Sequence, residues 1–157
     1  MDMLVRLYDL EPMDRLAEAI TKNNVAIRRA LPAEATIISS WVKKMFGSGW
    51  AGEASAALSR TPTTCYVALA DQEVHGFACW DVSALGFFGP VGVNPALQRK
   101  GIGAALLHRC LESMLQQGYG YAIIGGVSEA DFYAKSAGAV RIAGSTPGIY
   151  HGLLKRD

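Results

Sequence analysis

The sequence predicts a single α/β domain in which helices cover a mixed β-sheet. The chain has 157 residues, of which 50% are apolar and 18% charged, and this suits a globular protein with one well-formed core. From residue 25 onward, strand-length apolar segments alternate with helical ones in the order strand, helix, helix, three strands, helix, strand, helix, two strands. Such an alternation indicates a sheet with helices packed on its faces.

The first 24 residues are predicted to be an N-terminal extension, and residues 25–157 the main domain. Within the extension, residues 5–8 have the length of a short strand. Residues 12–21 are predicted to be helical, because Leu16 and Ile20 stand four residues apart.

One strand and two helices are predicted next. Residues 25–29 favour a strand, and residues 32–46 favour a helix because two apolar stripes repeat every four residues. The members of these stripes are Ile37, Trp41 and Met45, and beside them Ile38, Val42 and Phe46. A second helix is expected over residues 51–59, after the glycine-rich residues 47–49.

Three strands follow. Residues 64–70 and 75–82 are apolar, and the polar residues between them suit a hairpin turn. The third strand, residues 86–93, contains Gly89 and Pro90. Because proline cannot donate to a sheet ladder, a bulge or splay is expected there.

The strongest helical pattern covers residues 101–117. Its apolar stripe is Ile102, Leu106, Cys110 and Met114. Tyr121–Ile124 then has the composition of a buried strand. Ser128 and Asp131 resemble a capping box, which predicts a helix from Ser128 to Ala137.

The chain is predicted to end in two strands, residues 140–143 and 149–154, joined by the turn-rich residues 144–148. The last strand is apolar and would lie at a sheet edge, which needs cover. We therefore expect that the chain can form a homodimer.

Charge and composition argue against several classes of function. A formal net charge of +1 gives no electrostatic reason to expect nucleic acid or a membrane as partner. The sequence has no apolar run of secretory or membrane-spanning kind, so we expect a soluble, cytoplasmic protein. The three cysteines match no zinc or redox spacing and the three histidines are scattered, so reduced thiols and no metal are expected.

A strand that runs through a loop into the longest helix is the feature that carries chemistry. The loop contains Gln98, Arg99, Lys100, Gly101 and Gly103. Backbone N–H groups at a helix start lack intrahelical partners and lie at the positive end of the helix dipole. The loop is therefore interpreted as a pyrophosphate cradle with Arg99 and Lys100 at its rim. A tight turn without a ligand is the alternative, and the Walker A and dinucleotide glycine patterns are absent.

Residues 91–107 resemble the acetyl-coenzyme A motif of the GNAT superfamily of N-acetyltransferases. The family's loop, Gln/Arg-x-x-Gly-x-Gly/Ala, is matched by Gln98, Gly101 and Gly103. The lead-in to that loop is matched by Val91, Val93 and Pro95. Residues 132–139 are similar to a second family motif, Phe-Tyr-x-Lys-x-Gly-Phe. The resemblance covers roughly residues 25–154 and implies the GNAT-type acyl-CoA N-acyltransferase fold, with a central mixed, splayed sheet.

The resemblance implies an enzyme that transfers an acetyl group from acetyl-CoA to a primary amine of a small molecule, by direct attack in a ternary complex. Acetyl-CoA would bind where the strand ending at Val93 splays from Tyr121–Ile124. The residues implied to bind it are Val91, Val93, Gln98, Arg99, Lys100, Gly101, Ile102, Gly103, Ala104, Phe132 and Tyr133. Tyr133 is implied to be the general acid, because its hydroxyl can donate a proton or a hydrogen bond to the leaving thiolate.

The general base and one cofactor contact are less well defined. Asp81 is the first candidate for the base, since it follows a predicted strand and could face the cleft, whereas Glu53 and His75 are weaker candidates. A solvated surface position is the alternative for each. The family often has an asparagine where this chain has Gly126, which indicates either a roomier cleft or a bulge without function.

Five aromatic residues are predicted to lie near the acceptor site. They are Trp50, Trp80, Phe87, Phe88 and Tyr150. A pocket lined by them would suit a small or apolar-flanked amine, although such residues are also common in cores. A protein or peptide N-acetyltransferase and a non-catalytic acyl-CoA-binding module are the alternatives, and Tyr133 argues against the second.

Overall fold

The computed structural model describes residues 1–155. Within that range the strands are β1 (Met3–Arg6), β2 (Ala26–Arg29), β3 (Cys65–Ala70), β4 (Glu73–Trp80), β5 (Phe87–Val93), β6 (Tyr121–Ile124) and β7 (Val140–Arg141). The α-helices are α1 (Asp14–Lys22), α2 (Ala35–Phe46), α3 (Ser48–Leu58), α4 (Ile102–Gln117) and α5 (Ala130–Ala137). None of these helices is long and apolar enough to cross a membrane.

The seven strands form one sheet in the order β2-β3-β4-β5-β6-β1-β7. The β5–β6 pair is parallel and the other neighbours are antiparallel. Helices α2 and α3 contribute to the core on one face, around Phe77, while α4 contributes to the core on the other face, around Leu106. The predicted fold class, a mixed sheet covered by helices, is confirmed.

Helix α4 positions the loop that precedes it. Gly101 has the left-handed conformation (φ 80°) and directly precedes the helix, and Gly118 (φ 106°), also left-handed, directly follows it. Leu106, Leu107 and Leu111 are fully buried against the sheet. Since burial of one such side chain contributes roughly 1.5–3 kcal/mol, the helix start is held firmly at the edge of the sheet.

The irregularity predicted in the third strand is present in β5. The register between β4 and β5 shifts between Ala78 and Trp80, so that Gly89 and Pro90 together face a single residue of β4. On its other side, β5 pairs with β6 only through Phe87 and Phe88. The remainder of β5 diverges from β6, and a cleft opens between the two strands.

The first 24 residues contain a strand and a helix, but the strand is Met3–Arg6 rather than residues 5–8, and residues 7–9 form a 3-10 turn. Both elements belong to the same sheet and core as the remainder of the chain. Strand β1 lies between β6 and β7 and pairs with both. Met3, Val5 and Leu7 are buried in the core beneath α4. Within residues 1–155, β1 thus completes the edge of β6 and shares the core of the main domain.

Two predictions near the C-terminus were wrong. Residues 149–154 do not form a strand; a 3-10 turn at Gly148–Tyr150 is followed by irregular chain. The place beside β6 that a last strand would take is already filled by β1. Helix α5 begins at Ala130 after Glu129, with no side-chain cap, so the capping box is not formed. The homodimer, expected from that last strand, stays a prediction.

Candidate functional site

The cleft between β5 and β6 has a volume of about 870 Å³. It extends from the start of α4, past the diverging half of β5, to the start of α3. The residues that line it include Phe46, Trp50, Glu53, Phe88, Val91, Val93, Gln98, Arg99, Gly101, Gly103, Ala104, Gly126, Phe132, Tyr133, Tyr150 and Leu153. Most of the predicted site residues are thus brought together in one cavity.

The backbone of β5 presents to this cleft a strand edge that is not paired with β6. Asn94 donates its N–H to the carbonyl of His75 on β4 at 2.8 Å. Because the backbone groups of a strand alternate in direction, those of Val93 and Val91 point away from β4 and toward the cleft. The Val93 carbonyl already accepts a hydrogen bond from Gln98 Nε2 at 3.2 Å. An extended amide-containing ligand could therefore pair with this edge as a further strand would.

The start of α4 forms one end of the cleft. Arg99, Gly101, Gly103 and Ala104 line it. A Cβ atom at Gly103 would lie 3.7 Å from Val93 Cγ2 and 3.9 Å from the Phe132 ring. The absent side chain thus leaves open the space in which a phosphate group could approach the helix N-terminus. The residues present fit a pyrophosphate.

Two residues predicted for this cradle have other positions. Lys100 is exposed and is not among the lining residues. Ile102 is 1% exposed, because its side chain packs into the core beneath α4. At Ile102 the backbone N–H alone is available to a ligand, as the first helical residue of α4.

Tyr133 lies in the wall of the cleft on α5. Its ring contacts Phe88 and Phe132 edge-to-face, with ring centroids 6.3 and 5.0 Å apart. Burial, and to a smaller extent the charge of Glu129, raises the pKa of Tyr133 to about 12. The hydroxyl therefore keeps its proton at neutral pH and is a hydrogen-bond donor.

The structure corrects the prediction that Asp81 is the base. Asp81 is 4% exposed and is not among the residues that line the cleft. Its carboxylate accepts hydrogen bonds from Gly86 N–H at 2.7 Å, Tyr119 OH at 2.9 Å and Gln117 Nε2 at 3.4 Å. These bonds tie the β4–β5 turn to the C-terminal end of α4, so the role of Asp81 is structural.

The end of the cleft away from α4 is lined by Phe46, Trp50, Glu53, Tyr150 and Leu153. Glu53 Oε1 accepts a hydrogen bond from Ser83 Oγ at 2.6 Å, and Ser83 Oγ accepts one from Tyr150 OH at 2.8 Å. Glu53 is therefore the carboxylate that the structure brings to this end. The sequence contained one signal for this position. Glu53 follows Trp50 by three residues, a spacing that places both side chains on one face of α3.

Three aromatic or basic candidates lie elsewhere. Trp80 is 1% exposed, stacks on Tyr66 and donates its indole N–H to Gln117. Phe87 is partly buried beside Gly125 and does not line the cleft. His75 also lies outside the cleft, where its Nδ1 is 3.3 Å from Nδ2 of Asn94.

Gly126 is explained by its neighbours. It has the left-handed conformation (φ 61°), and its N–H donates to Asp2 Oδ1 at 3.0 Å. A Cβ there would lie 3.4 Å from the ring of Tyr150. The glycine therefore does not widen the cleft, because it makes room for an aromatic ring of the C-terminal segment.

Known folds agree with this architecture. The structure is similar to the region of a fungal multi-domain GH3 β-N-acetylglucosaminidase described as a GCN5-related glucosamine N-acetyltransferase (TM-score 0.72, 16% identity, 87% of this chain and 19% of that one). It is also similar to a GCN5-related N-acetyltransferase from Sphaerobacter thermophilus, with a TM-score of 0.66 at 16% identity over 88% of this chain and 47% of that one. An aminoglycoside acetyltransferase from an uncultured soil metagenomic sample has a TM-score of 0.53 at 16% identity, with 80% and 90% covered.

The chain spans less than half the length of the first two of these proteins, and at this identity the similarity shows the fold alone. No curated protein matches the chain in sequence. A model of the acetyltransferase (GNAT) family matches residues 27–139, which include β5, the loop before α4, and α5 with Tyr133. Because that match covers well over half of the chain, the protein belongs to the acetyltransferase (GNAT) family.

Proposed function

We propose that this protein is an N-acetyltransferase that transfers the acetyl group of acetyl-CoA to a primary amine of a small molecule, by direct attack in a ternary complex. The observation that carries the proposal is the meeting of three features in one cleft. These features are the unpaired edge of β5, the N-terminus of α4 and the hydroxyl of Tyr133.

Acetyl-CoA would be held by backbone groups. The start of α4 at Gly101, Gly103 and Ala104 would bind the pyrophosphate, with Arg99 supplying positive charge. The pantetheine amides would pair with the free edge of β5 at Val91 and Val93. Bound there, the thioester supplies an activated acetyl group.

Tyr133 would stabilise the departing sulfur. A hydroxyl with a pKa of about 12 is a much weaker acid than a thiol, whose ordinary pKa is about 8.5. Complete transfer of its proton to a thiolate is therefore unfavourable unless Tyr133 regains a proton from the amine nitrogen in the same event. A hydrogen bond from the hydroxyl to the sulfur needs no such compensation, and we assign that role to Tyr133.

A small-molecule acceptor agrees with the shape of the cleft. The C-terminal segment brings Tyr150 and Leu153 over the end opposite α4, and Trp50 and Phe46 form its other wall. Side chains on both sides of this end would narrow the space for an acceptor, which favours a small molecule over a peptide. Glucosamine and aminoglycosides, which appear in the descriptions of similar folds, are useful test compounds and are not assigned as acceptors.

The test is amine-dependent release of coenzyme A. The protein is incubated with acetyl-CoA and a panel of primary amines, free thiol is measured, and the acetylated amine is identified by mass spectrometry. We expect saturable thiol release that depends on the amine. Failure to bind acetyl-CoA by calorimetry would overturn the proposal, whereas tight binding without turnover of any amine would favour the non-catalytic acyl-CoA-binding module.

A further inference from the structure

We infer that the end of the cleft opposite α4 is a cation site for a primary amine with one positive charge and a compact apolar body, in which Glu53 binds the ammonium group and accepts its proton. This inference rests on the proposed acetyl transfer. It names the class of amine that receives the acetyl group, and it assigns a general base other than Asp81.

The Glu53 carboxylate is held in one orientation. Ser83 Oγ donates to Oε1 at 2.6 Å, and Tyr150 OH donates to Ser83 Oγ at 2.8 Å. Glu53 is partly buried and lines the cleft, and Tyr150 OH lies close enough to interact with its carboxylate as well. A partly buried carboxylate that is oriented by neighbouring hydroxyls and lines a cleft is a favourable site for an ammonium group, because the ion pair is hydrogen-bonded and partly shielded from water.

Aromatic rings line the same part of the cleft as Glu53. Phe46 and Trp50 lie with ring centroids 5.2 Å apart, and both line the cleft together with Tyr150. Ring faces attract a cation and also cover the methylene groups that carry it. Trp50 remains 37% exposed, so its ring has area available for a ligand.

The number of carboxylates at the aromatic end of the cleft limits how many positive charges the amine substrate can carry. The acidic residues that line the cleft are Glu53 and Glu129. Glu129 precedes α5 and acts on Tyr133, so Glu53 is the carboxylate at the aromatic end. Further ammonium groups of a polyamine would have no second carboxylate at this end of the cleft, which is costly for a partly buried charge.

The proposed step balances in protons and bonds. The amine enters as an ammonium ion, since alkylamines have a pKa near 10. It gives one proton to Glu53, which returns it to solvent. The nitrogen then bonds to the acetyl carbon and the carbon–sulfur bond breaks. The leaving thiolate accepts a hydrogen bond from Tyr133, and the second proton lost by nitrogen reaches the sulfur through solvent, so the products are an amide, a free thiol and one released proton.

Acceptor class is tested with four amines. We compare 2-phenylethylamine, which has one charge and an apolar body, with glucosamine, spermidine and a lysine-containing peptide. We expect kcat/KM for 2-phenylethylamine to exceed that for each of the others by about tenfold or more. A preference for glucosamine, spermidine or the peptide would overturn the inference and leave the acetyl transfer standing.

The role of Glu53 is tested by Glu53→Gln, with Glu73→Gln as the control. Glu73 is exposed at the β3–β4 turn, so the control removes the same charge away from the cleft. We expect Glu53→Gln to lower kcat/KM about 100-fold or more and to abolish calorimetric binding of 2-phenylethylamine to the protein saturated with coenzyme A. Equal values for Glu53→Gln and the control in both measurements would overturn the assignment.

Ser83 is a positioning residue in this arrangement. We expect Ser83→Ala to raise the KM for the amine about tenfold without changing the KM for acetyl-CoA, and Ser83→Thr to restore it. A change in both KM values would indicate a structural role instead.

Failure of this inference and failure of the proposed function give different results. Binding of 2-phenylethylamine that depends on Glu53, without acetylation of any amine, would support the cation site and overturn the acetyl transfer. Acetylation that is unaffected by Glu53→Gln would support the acetyl transfer and overturn the cation site.

Discussion

The carboxylate of Asp81 accepts a hydrogen bond from the Tyr119 hydroxyl at 2.9 Å, and this bond joins the β4–β5 turn to the segment that follows α4. The same carboxylate oxygen accepts the N–H of Gly86 at 2.7 Å. Burial, followed by the hydrogen bond to Asp81, raises the pKa of Tyr119. The shared proton therefore stays on the tyrosine at neutral pH, and the bond holds the turn from which β5 enters the cleft.

Replacement of this carboxylate is expected to affect stability rather than chemistry. Asp81→Asn exchanges one acceptor oxygen for an N–H₂ group facing donors, so we expect the free energy of unfolding to fall by about 1–3 kcal/mol, measured by urea denaturation. The control is Asp71→Asn, since Asp71 is exposed and has a similar left-handed backbone (φ 51° against 58° for Asp81). Loss of turnover in folded Asp81→Asn, with an unchanged unfolding free energy, would restore Asp81 as a candidate base.

Acetyl-CoA binding is expected to depend on the absence of a side chain at Gly103. A leucine there would fill the space between Val93 and Phe132. We therefore expect Gly103→Leu to raise the dissociation constant for acetyl-CoA about 100-fold or more, which corresponds to a loss of about 2.7 kcal/mol of binding free energy. The position is helical, so the fold should persist. Gly52→Leu is the matched control, because Gly52 lies in α3 and a Cβ atom there would meet nothing within 4 Å. Calorimetry with equal affinities for the two variants would contradict the cradle.

Tyr133→Phe is expected to lower kcat about 100-fold or more while the affinity for acetyl-CoA stays within about twofold, because the ring contacts remain and the hydroxyl alone is lost. Tyr121→Phe serves as control, since Tyr121 is 51% exposed on β6. Single-turnover kinetics separate the chemical step from binding. Unchanged turnover in Tyr133→Phe would remove the hydroxyl from the mechanism.

Alkaline stability should report the burial of the same hydroxyl. The pKa of Tyr133 is raised from 10.0 to about 12 in the folded protein, so the protonated form favours the folded state. This contribution is complete below pH 10 and is lost as the pH rises toward 12. Between pH 8 and pH 11, wild-type protein should lose about 1.4 kcal/mol more than Tyr133→Phe. Equal losses in urea denaturation would show that the hydroxyl is hydrated.

The N-terminal segment should behave as part of the core. Leu7 is fully buried, whereas Leu154 is 90% exposed. We expect Leu7→Ala to lower the free energy of unfolding by about 2–5 kcal/mol and Leu154→Ala to leave it within about 0.5 kcal/mol of the wild-type value. A cost near zero for Leu7→Ala would show that the first residues are an addition outside the core.

Much of the fold follows from local patterns. The apolar repeat of four residues predicted α4 to within one residue, because helix formation depends on neighbours three and four positions away. The proline after Gly89 predicted the bulge in β5 for an equally local reason, the missing N–H. The capping box at Ser128 was a local prediction that failed, since α5 starts two residues later without a side-chain cap.

The sequence by itself determined the elements of the main sheet, the loop before α4 and, through two short motifs, the family. The tertiary structure alone decided that β1 lies between β6 and β7, that Asp81 is buried and that Glu53 reaches the cleft. Each of these depends on contacts between residues far apart in the chain, such as Glu53 with Ser83 or Asp2 with Gly126. The periodicity of the sequence cannot predict such pairings. They form only after the strands have paired in their final order, when each buried polar group must find a hydrogen-bond partner among the residues that the fold brings near it.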